Sequence, residues 1–436
     1  MPGNFGLIDK DTPKSVYTKS SYTYGQEYEL VFSDEFNVDG RTFYPGDDPY
    51  WEAVDLHYWQ TNNLEWYDPA AVTTKDGNLV ITLSQKPTHG LDYEGGLISS
   101  WNKFCFTGGI LEVNAVLPGA SDVEGLWPAV WAMGNLGRAG YGASLDGLWP
   151  YSYDSCDVGT LPNQTYPDGT PVANTQGNDK NNGGALSYLP GQRLSACTCE
   201  SDSTHPGPKK SDGSWTGRAA PEIDVLEATV DSHTKIGHVS QSAQWAPFDY
   251  QYHWDNSSSN IKFYDSDKAI PNTYVGGVFQ QASSALVGTN QNCYELSGGC
   301  ASIYGFEYEP GADGFITWIS EGVKSWTMMG AGVGPNTISG AGQRLVSEEP
   351  MYIIMNLGIS LNFGHISEDL QFPAHFLIDY VRVYQPKNAK NIGCDPSDHP
   401  TQDYIARYVD AYNNANLTTW EQYGQLMPKN NLVDQC

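Results

Sequence analysis

Basic side chains are scarce in this chain. Only 23 Lys and Arg stand against 51 Asp and Glu, a formal net charge of −28 over 436 residues. Such a charge repels phosphate backbones and anionic lipid, which argues against nucleic acid and acidic membrane surfaces as partners. No long apolar run is present, so the sequence shows neither a signal peptide nor a membrane span. The polar opening Met1-Pro2-Gly3-Asn4 reads as the start of a lumenal fragment whose targeting segment has been cut away. A glycine-rich phosphate loop and a dinucleotide-type strand–helix–strand pattern are both missing, which disfavours a transferase using a nucleotide sugar. The close cysteine pairs are C-x-C and C-x₆-C rather than two C-x₂-C pairs, and no His cluster accompanies them, which disfavours zinc.

Aromatic and turn-forming residues are plentiful instead, with 28 Tyr, 13 Trp, 46 Gly and 26 Pro. With few long helical patterns, they predict an all-β fold with long loops. A neutral ligand met by aromatic faces suits this composition, because sugar rings stack on Trp and Tyr while their hydroxyls bond to amides and carboxylates. The eight cysteines are even in number, and three N-glycosylation sequons start at Asn163, Asn256 and Asn416. Both features favour an oxidising, secretory compartment. Proximity predicts the pairs Cys293–Cys300 and Cys394–Cys436, the second tying down the tail. The partners of Cys105, Cys156, Cys197 and Cys199 stay open.

Along the chain, residues 1–27 form a polar lead-in and residues 28–386 one domain of strands. Strands are predicted over 28–36, 78–83, 109–117, 125–133, 237–245, 314–320, 352–357 and 376–384. Between about 135 and 220 the pattern dissolves into Gly, Asn, Asp, Pro and Ser. A stretch that long without structure is an insertion, stapled by its cysteines and walling the functional groove. Residues 250–310 read as loop-rich. Residues 387–436 form a helical extension, with a helix predicted over 402–414 and Thr401 as its cap.

The most informative stretch is Glu222-Ile223-Asp224-Val225-Leu226-Glu227. It carries three carboxylates separated only by strand formers. Alternation puts Glu222 and Asp224 on one face. Glu227 is an odd five positions from Glu222, so a β-bulge between Asp224 and Glu227 is needed to bring it round. Acidic residues on a strand most often form a solvated face, yet only Arg218 and Lys235 lie close in sequence. Three acids on one face raise one another's pKa. A glycosidase needs that arrangement, with one ionised carboxylate as nucleophile and a second kept protonated as acid.

Together with Ser33-Asp34-Glu35-Phe36, Trp127-Pro128-Ala129-Val130-Trp131-Ala132-Met133 and Asp379-Tyr380-Val381-Arg382-Val383-Tyr384, this stretch resembles glycoside hydrolase family 16 over about residues 28–386. Residues 149–165, the Cys-rich insertion and the tail ending at Cys436 are similar to the fungal β-glucan synthesis-associated proteins of the Skn/Kre type. The resemblance implies a β-jelly-roll sandwich of two curved antiparallel sheets with a groove on the concave face. It implies Glu222 as nucleophile, Glu227 as acid/base and Asp224 as the residue that tunes the nucleophile. Retaining hydrolysis or transglycosylation of β-1,3- or β-1,6-glucan by an endo-acting enzyme follows, without a catalytic cofactor. A glucan-binding scaffold that kept the fold is the alternative. The implied setting is a monomer anchored as a type II membrane protein of the secretory pathway or cell surface. Trp127 and Trp131 share a strand face and are candidate sugar platforms, followed by Trp66, Trp101 and Trp245. His238 lies near a family histidine position, with Gln241 and Gln244 as further groove candidates. Family members often carry a structural calcium, for which Glu35 and Asp379 are candidate ligands.

Overall fold

A computed structural model describes residues 6–436; residues 1–5, the start of the lead-in, lie outside the described residues. Two β-sheets of ten and eleven strands form the jelly-roll sandwich expected. The first runs in the order Thr18–Ser20, Glu27–Asp34, Ala374–Pro386, Gly109–Val116, Ser302–Glu309, Phe315–Ser320, Val323–Met329 and Ile261–Phe263. The second runs Ala269–Pro271, Gln280–Gly288, Gly237–Trp245, Glu222–Val230, Trp127–Gly134, Met351–Gly358, Tyr93–Ser99, Glu65–Tyr67 and Leu56–His57. The pairings are antiparallel except that of Glu65–Tyr67 with Tyr93–Ser99.

Residues alternate along these strands, so one set of side chains meets between the sheets. Ile223, Val225, Leu226 and Ala228 join Val130, Ala132, Trp318 and Trp326 there. Trp318 and Trp326 stack at 4.1 Å, nearly parallel. A second apolar cluster covers part of the outer face of the second sheet. Trp131, Met133, Tyr352 and Ile354 meet Tyr404, Tyr408, Tyr412 and Trp420 of the C-terminal tail. The tail therefore packs on the same face that carries the acids.

The insertion contains short turns of helix and no strand. It is pinned by Cys156–Cys197 and by a buried ion pair, Arg218 to Glu349, at 2.8 Å. Arg218 also donates to the carbonyl of Pro400 in the tail, 2.7 Å away.

Several expectations are corrected. Cys394 pairs with Cys105, and Cys436 with Cys199, while Cys293–Cys300 forms as expected. The tail runs back across the insertion, so its last cysteine meets a residue 237 positions earlier rather than the nearest one. The stretch 250–310 holds two full strands, Gln280–Gly288 and Ser302–Glu309. The first is rich in Gln and Ser, and its polar positions hide the strand signal. The helix of 402–414 is two short helices, Gln402–Arg407 and Val409–Asn413, broken at Tyr408. Thr401 makes no side-chain cap; the Asp395 carboxylate accepts from the backbone N–H of Thr401 and Gln402 instead.

Glu35, one of the two candidate calcium ligands, is already engaged by a cation. Arg382 clasps Glu35 through two bonds of 2.9 and 2.7 Å, so that charge is already neutralised. Asp379 accepts from the Asn114 amide at 2.9 Å.

Candidate active site

The acid strand, Glu222–Val230, is irregular at one place. Asp224 pairs with Ser242 and Glu227 with Ser240, so Gln241 alone faces both Val225 and Leu226. The register to the Trp127–Gly134 strand shifts at the same level. Val225 and Leu226 are consecutive, yet both are buried between the sheets. That bulge turns Glu227 onto the face of Glu222 and Asp224.

A bulge takes carbonyls out of the ladder, and each must find a donor. From the core side, the Trp318 indole N–H donates to the Asp224 carbonyl at 2.8 Å. The Gln241 amide donates to the carbonyls of Val225, at 3.2 Å, and Ile319, at 2.9 Å. Ser325 Oγ donates to Gln241 Oε1 at 2.6 Å.

Each acid has its own donors on the outer face of the second sheet. Trp149 Nε1 donates to Glu222 Oε2 at 2.6 Å, and Trp127 Nε1 to Glu227 Oε1 at 3.0 Å. Asp224 Oδ2 accepts from Ser242 Oγ at 2.6 Å and from Gln244 Nε2 at 3.0 Å. Glu222 and Glu227 are half-buried, while Asp224 is buried. Burial and the Asp224 charge push Glu227 up to about 8, against the pull of the Trp127 N–H. Burial raises Asp224, and its bonds from Ser242 and Gln244 oppose the rise. Burial and the neighbouring Asp224 carboxyl, which hydrogen-bonds to it, raise Glu222 as well. The three cannot all be ionised at neutral pH, and they titrate as one set.

The other candidates divide. Trp127 stays half-exposed beside Glu227 and stacks on Phe363 at 4.3 Å, a flat aromatic ledge. Gln244 is on the face of the acids through its bond to Asp224. His238 occupies the same face opposite Thr229, two positions beyond the Glu227 partner Ser240, with its ring bonded to the Ile236 carbonyl. Trp131 is buried, bonds to Asn356 Oδ1 at 2.8 Å and is packed within the second cluster, so it is not an open platform. Gln241 and Trp245 face the core, because odd positions of that strand point away from Asp224. Trp101 stacks on Tyr412 of the tail under the Arg138 guanidinium. Trp66 points away from its neighbour Tyr67 and is engaged by Asp55 and His89. Asp55, Asp68 and His89 are the one set among the described residues with three metal-ligating atoms within 4.8 Å of one another. All three sequon asparagines are exposed.

Residues that reasoning from sequence missed also close on the acids. Trp149 comes from the patternless insertion. Tyr58 and Tyr352 flank Glu222, whose charge helps push both phenols up. Tyr274, exposed in the loop before Gln280–Gly288, is raised by burial of its hydroxyl and by Glu227 and Glu222. Ser242 was readable from parity, since it is two positions from Gln244 on a strand.

Residues 3–436 match the family model of the beta-glucan synthesis-associated protein SKN1/KRE6/Sbg1. The chain is 48% identical to the beta-glucan synthesis-associated protein KRE6 of Saccharomyces cerevisiae, over 99% of this chain and 56% of that protein. It is 45% identical to the beta-glucan synthesis-associated protein SKN1 of Candida albicans, over 98% of this chain and 54% of that protein. It thus spans about half the length of the curated relatives it matches. Among solved structures, it is similar to the catalytic domain of an endo-1,3-beta-glucanase (laminarinase) from Thermotoga petrophila RKU-1, at 18% identity and a TM-score of 0.46. That match covers 83% of this chain and 99% of the other.

Proposed function

The chain belongs to the beta-glucan synthesis-associated SKN1/KRE6/Sbg1 family, and from that premise we propose that it is a retaining, endo-acting glycoside hydrolase or transglycosylase of β-glucan. The observation that carries the proposal is the bulge between Asp224 and Glu227, which sets two Glu residues and one Asp on a single face. Glu222 attacks the anomeric carbon as a carboxylate. The glycosidic C–O bond breaks, and the leaving oxygen takes the proton of Glu227. Glu227, now ionised, removes a proton from water or from a sugar hydroxyl, which displaces Glu222 from the anomeric carbon. Water gives hydrolysis; a sugar hydroxyl gives a new glycosidic bond.

The Glu227 pKa of about 8 suits an acid that must arrive protonated. Asp224 shares one proton with Glu222 in this scheme. When Asp224 holds the proton, Glu222 carries the charge and attacks. Trp127 with Phe363 offers the sugar an apolar face. The chemistry calls on no cofactor. We place the protein in cell-wall β-1,6- or β-1,3-glucan formation, as a monomeric lumenal or cell-surface part of a type II membrane protein. Four disulfides and three exposed sequon asparagines support that compartment.

One observation favours a second reading, a glucan-binding scaffold without turnover: burial and Asp224 favour the protonated, non-nucleophilic form of Glu222. Mass spectrometry of defined β-1,3 and β-1,6 oligosaccharides, incubated with and without an added acceptor, separates the two. Cleaved or lengthened products that vanish in Glu222→Gln support the enzyme. Saturable binding without any product supports the scaffold.

A further inference from the structure

We propose that Trp149 is a positioning residue for Glu222, delivered to the acid strand by the cysteine-stapled insertion and held there by the C-terminal tail. The inference rests on the retaining reading above and deepens it. The Trp149 indole N–H meets Glu222 Oε2 at 2.6 Å, the shortest hydrogen bond given to any of the three acids by an indole or amide. A charge-assisted bond of this kind favours the carboxylate over the acid. It also fixes how the carboxylate is turned, because Oε2 is held by the indole.

The indole is not a loose surface contact. The Trp149 backbone N–H bonds to the Leu145 carbonyl at 3.0 Å, in the turn that follows the one-turn helix Gly142–Leu145. The preceding residues are tied to the insertion by two more backbone bonds, from Arg193 to Gly147 and from Ala220 to Leu148. The tail then holds that turn from outside. Ala143 N–H bonds to the Leu417 carbonyl at 3.1 Å, and Trp420 N–H bonds to Asp146 Oδ2 at 3.2 Å. The Arg193 guanidinium lies 4.4 Å over the Trp420 ring. A continuous set of contacts therefore runs from the tail, through the turn, to the nucleophile.

The groups facing Glu222 explain why such a donor is needed. Asp224 and Glu227 are acids on its own strand, and Tyr352 and Tyr58 approach from two neighbouring elements. Tyr274 comes from the loop before Gln280–Gly288. None of these is a cation. Trp149 is the side chain among them that donates to the Glu222 carboxylate from a group with no acidic proton of its own to lose at physiological pH.

Trp149→Phe keeps the ring and removes the N–H. In protein labelled with ¹³C at Glu carboxyls, the Glu222 resonance is identified by its loss in Glu222→Gln and followed through a pH titration. The expected result is an apparent midpoint at the Glu222 resonance raised by about one to two pH units in Trp149→Phe, with a smaller shift at Glu227 because the acids titrate together. An unmoved Glu222 midpoint overturns the proposal. Should Trp149→Phe not fold, the wild-type ¹⁵N–¹H indole resonance of Trp149 decides: it must shift with the Glu222 midpoint, and an indole that ignores that midpoint overturns the proposal equally. Neither readout needs turnover, so failure of the enzymatic reading, a protein inactive on every glucan, is distinguishable from failure of the Trp149–Glu222 contact. If turnover is present, the acidic limb of kcat/KM moves up with the Glu222 midpoint while KM stays nearly constant.

Discussion

Gln241 reaches across the back of its own strand pairing to donate to the Val225 carbonyl, 3.2 Å away. The residue opposite the bulge thus holds the bulge open from the core side. Replacing Gln241 by Leu keeps the volume and removes the donor. The Val225 and Ile319 carbonyls then lose this donor in the core, and the Ser325 hydroxyl keeps only the Trp318 carbonyl, 3.1 Å away. A loss of about 2–3 kcal/mol of stability is expected, read by urea unfolding. Activity should fall further than stability explains, since the aim of Glu227 depends on that kink.

Much of the site was legible for one reason: an odd step of five between two Glu residues has no solution on a regular strand. Parity would have corrected Gln241 as well, because Gln241 and Gln244 are three apart and cannot share a strand face. Trp131 was harder. Its strand position was right, but only the folded tail shows that it is covered. Trp149 carried no signal of its own, since it lies in a segment without periodicity and meets Glu222 through long-range folding. The disulfides failed for a similar reason. Closeness in sequence suits a short loop such as Cys293–Cys300, but it says nothing about a tail that returns over an insertion.

The raised pKa of Glu227 makes stability depend on pH in a definite direction. Its value moves from the ordinary 4.5 to about 8 on folding, so the folded state binds the extra proton between those limits. Stability from this group is present below about 4.5 and is lost as pH rises through about 8. Glu227→Gln removes this contribution, while those of Glu222 and Asp224 remain. Above pH 8 the variant should be more stable than wild type by about 1–2 kcal/mol, discounted for the partial exposure of the carboxyl, with the gap closing near pH 4. Thermal unfolding at both ends of the range checks this; a gap of equal size at both ends contradicts it.

The bridge between Cys199 and Cys436 closes a span of 237 residues, and backbone bonds from Cys199 to Lys429 and from Asn431 to Cys197 run beside it. Changing both cysteines to Ser should cost about 2–5 kcal/mol and expose the last residues to protease. The main core between the sheets draws nothing from those last residues. Limited proteolysis should therefore trim the tail of the variant and leave the sandwich intact, whereas wild type resists.

Retention by this route requires a covalent bond from Glu222 to a glucan sugar. The direct measurement is incubation with an activated 2-deoxy-2-fluoro-β-glucan oligosaccharide, followed by mass spectrometry of the intact and digested protein. One added glycosyl mass, located on the peptide that contains Glu222 and absent in Glu222→Gln, is the predicted result. Turnover of natural β-glucan by the same preparation, with the label on another residue or with products of inverted anomeric configuration, would contradict the account.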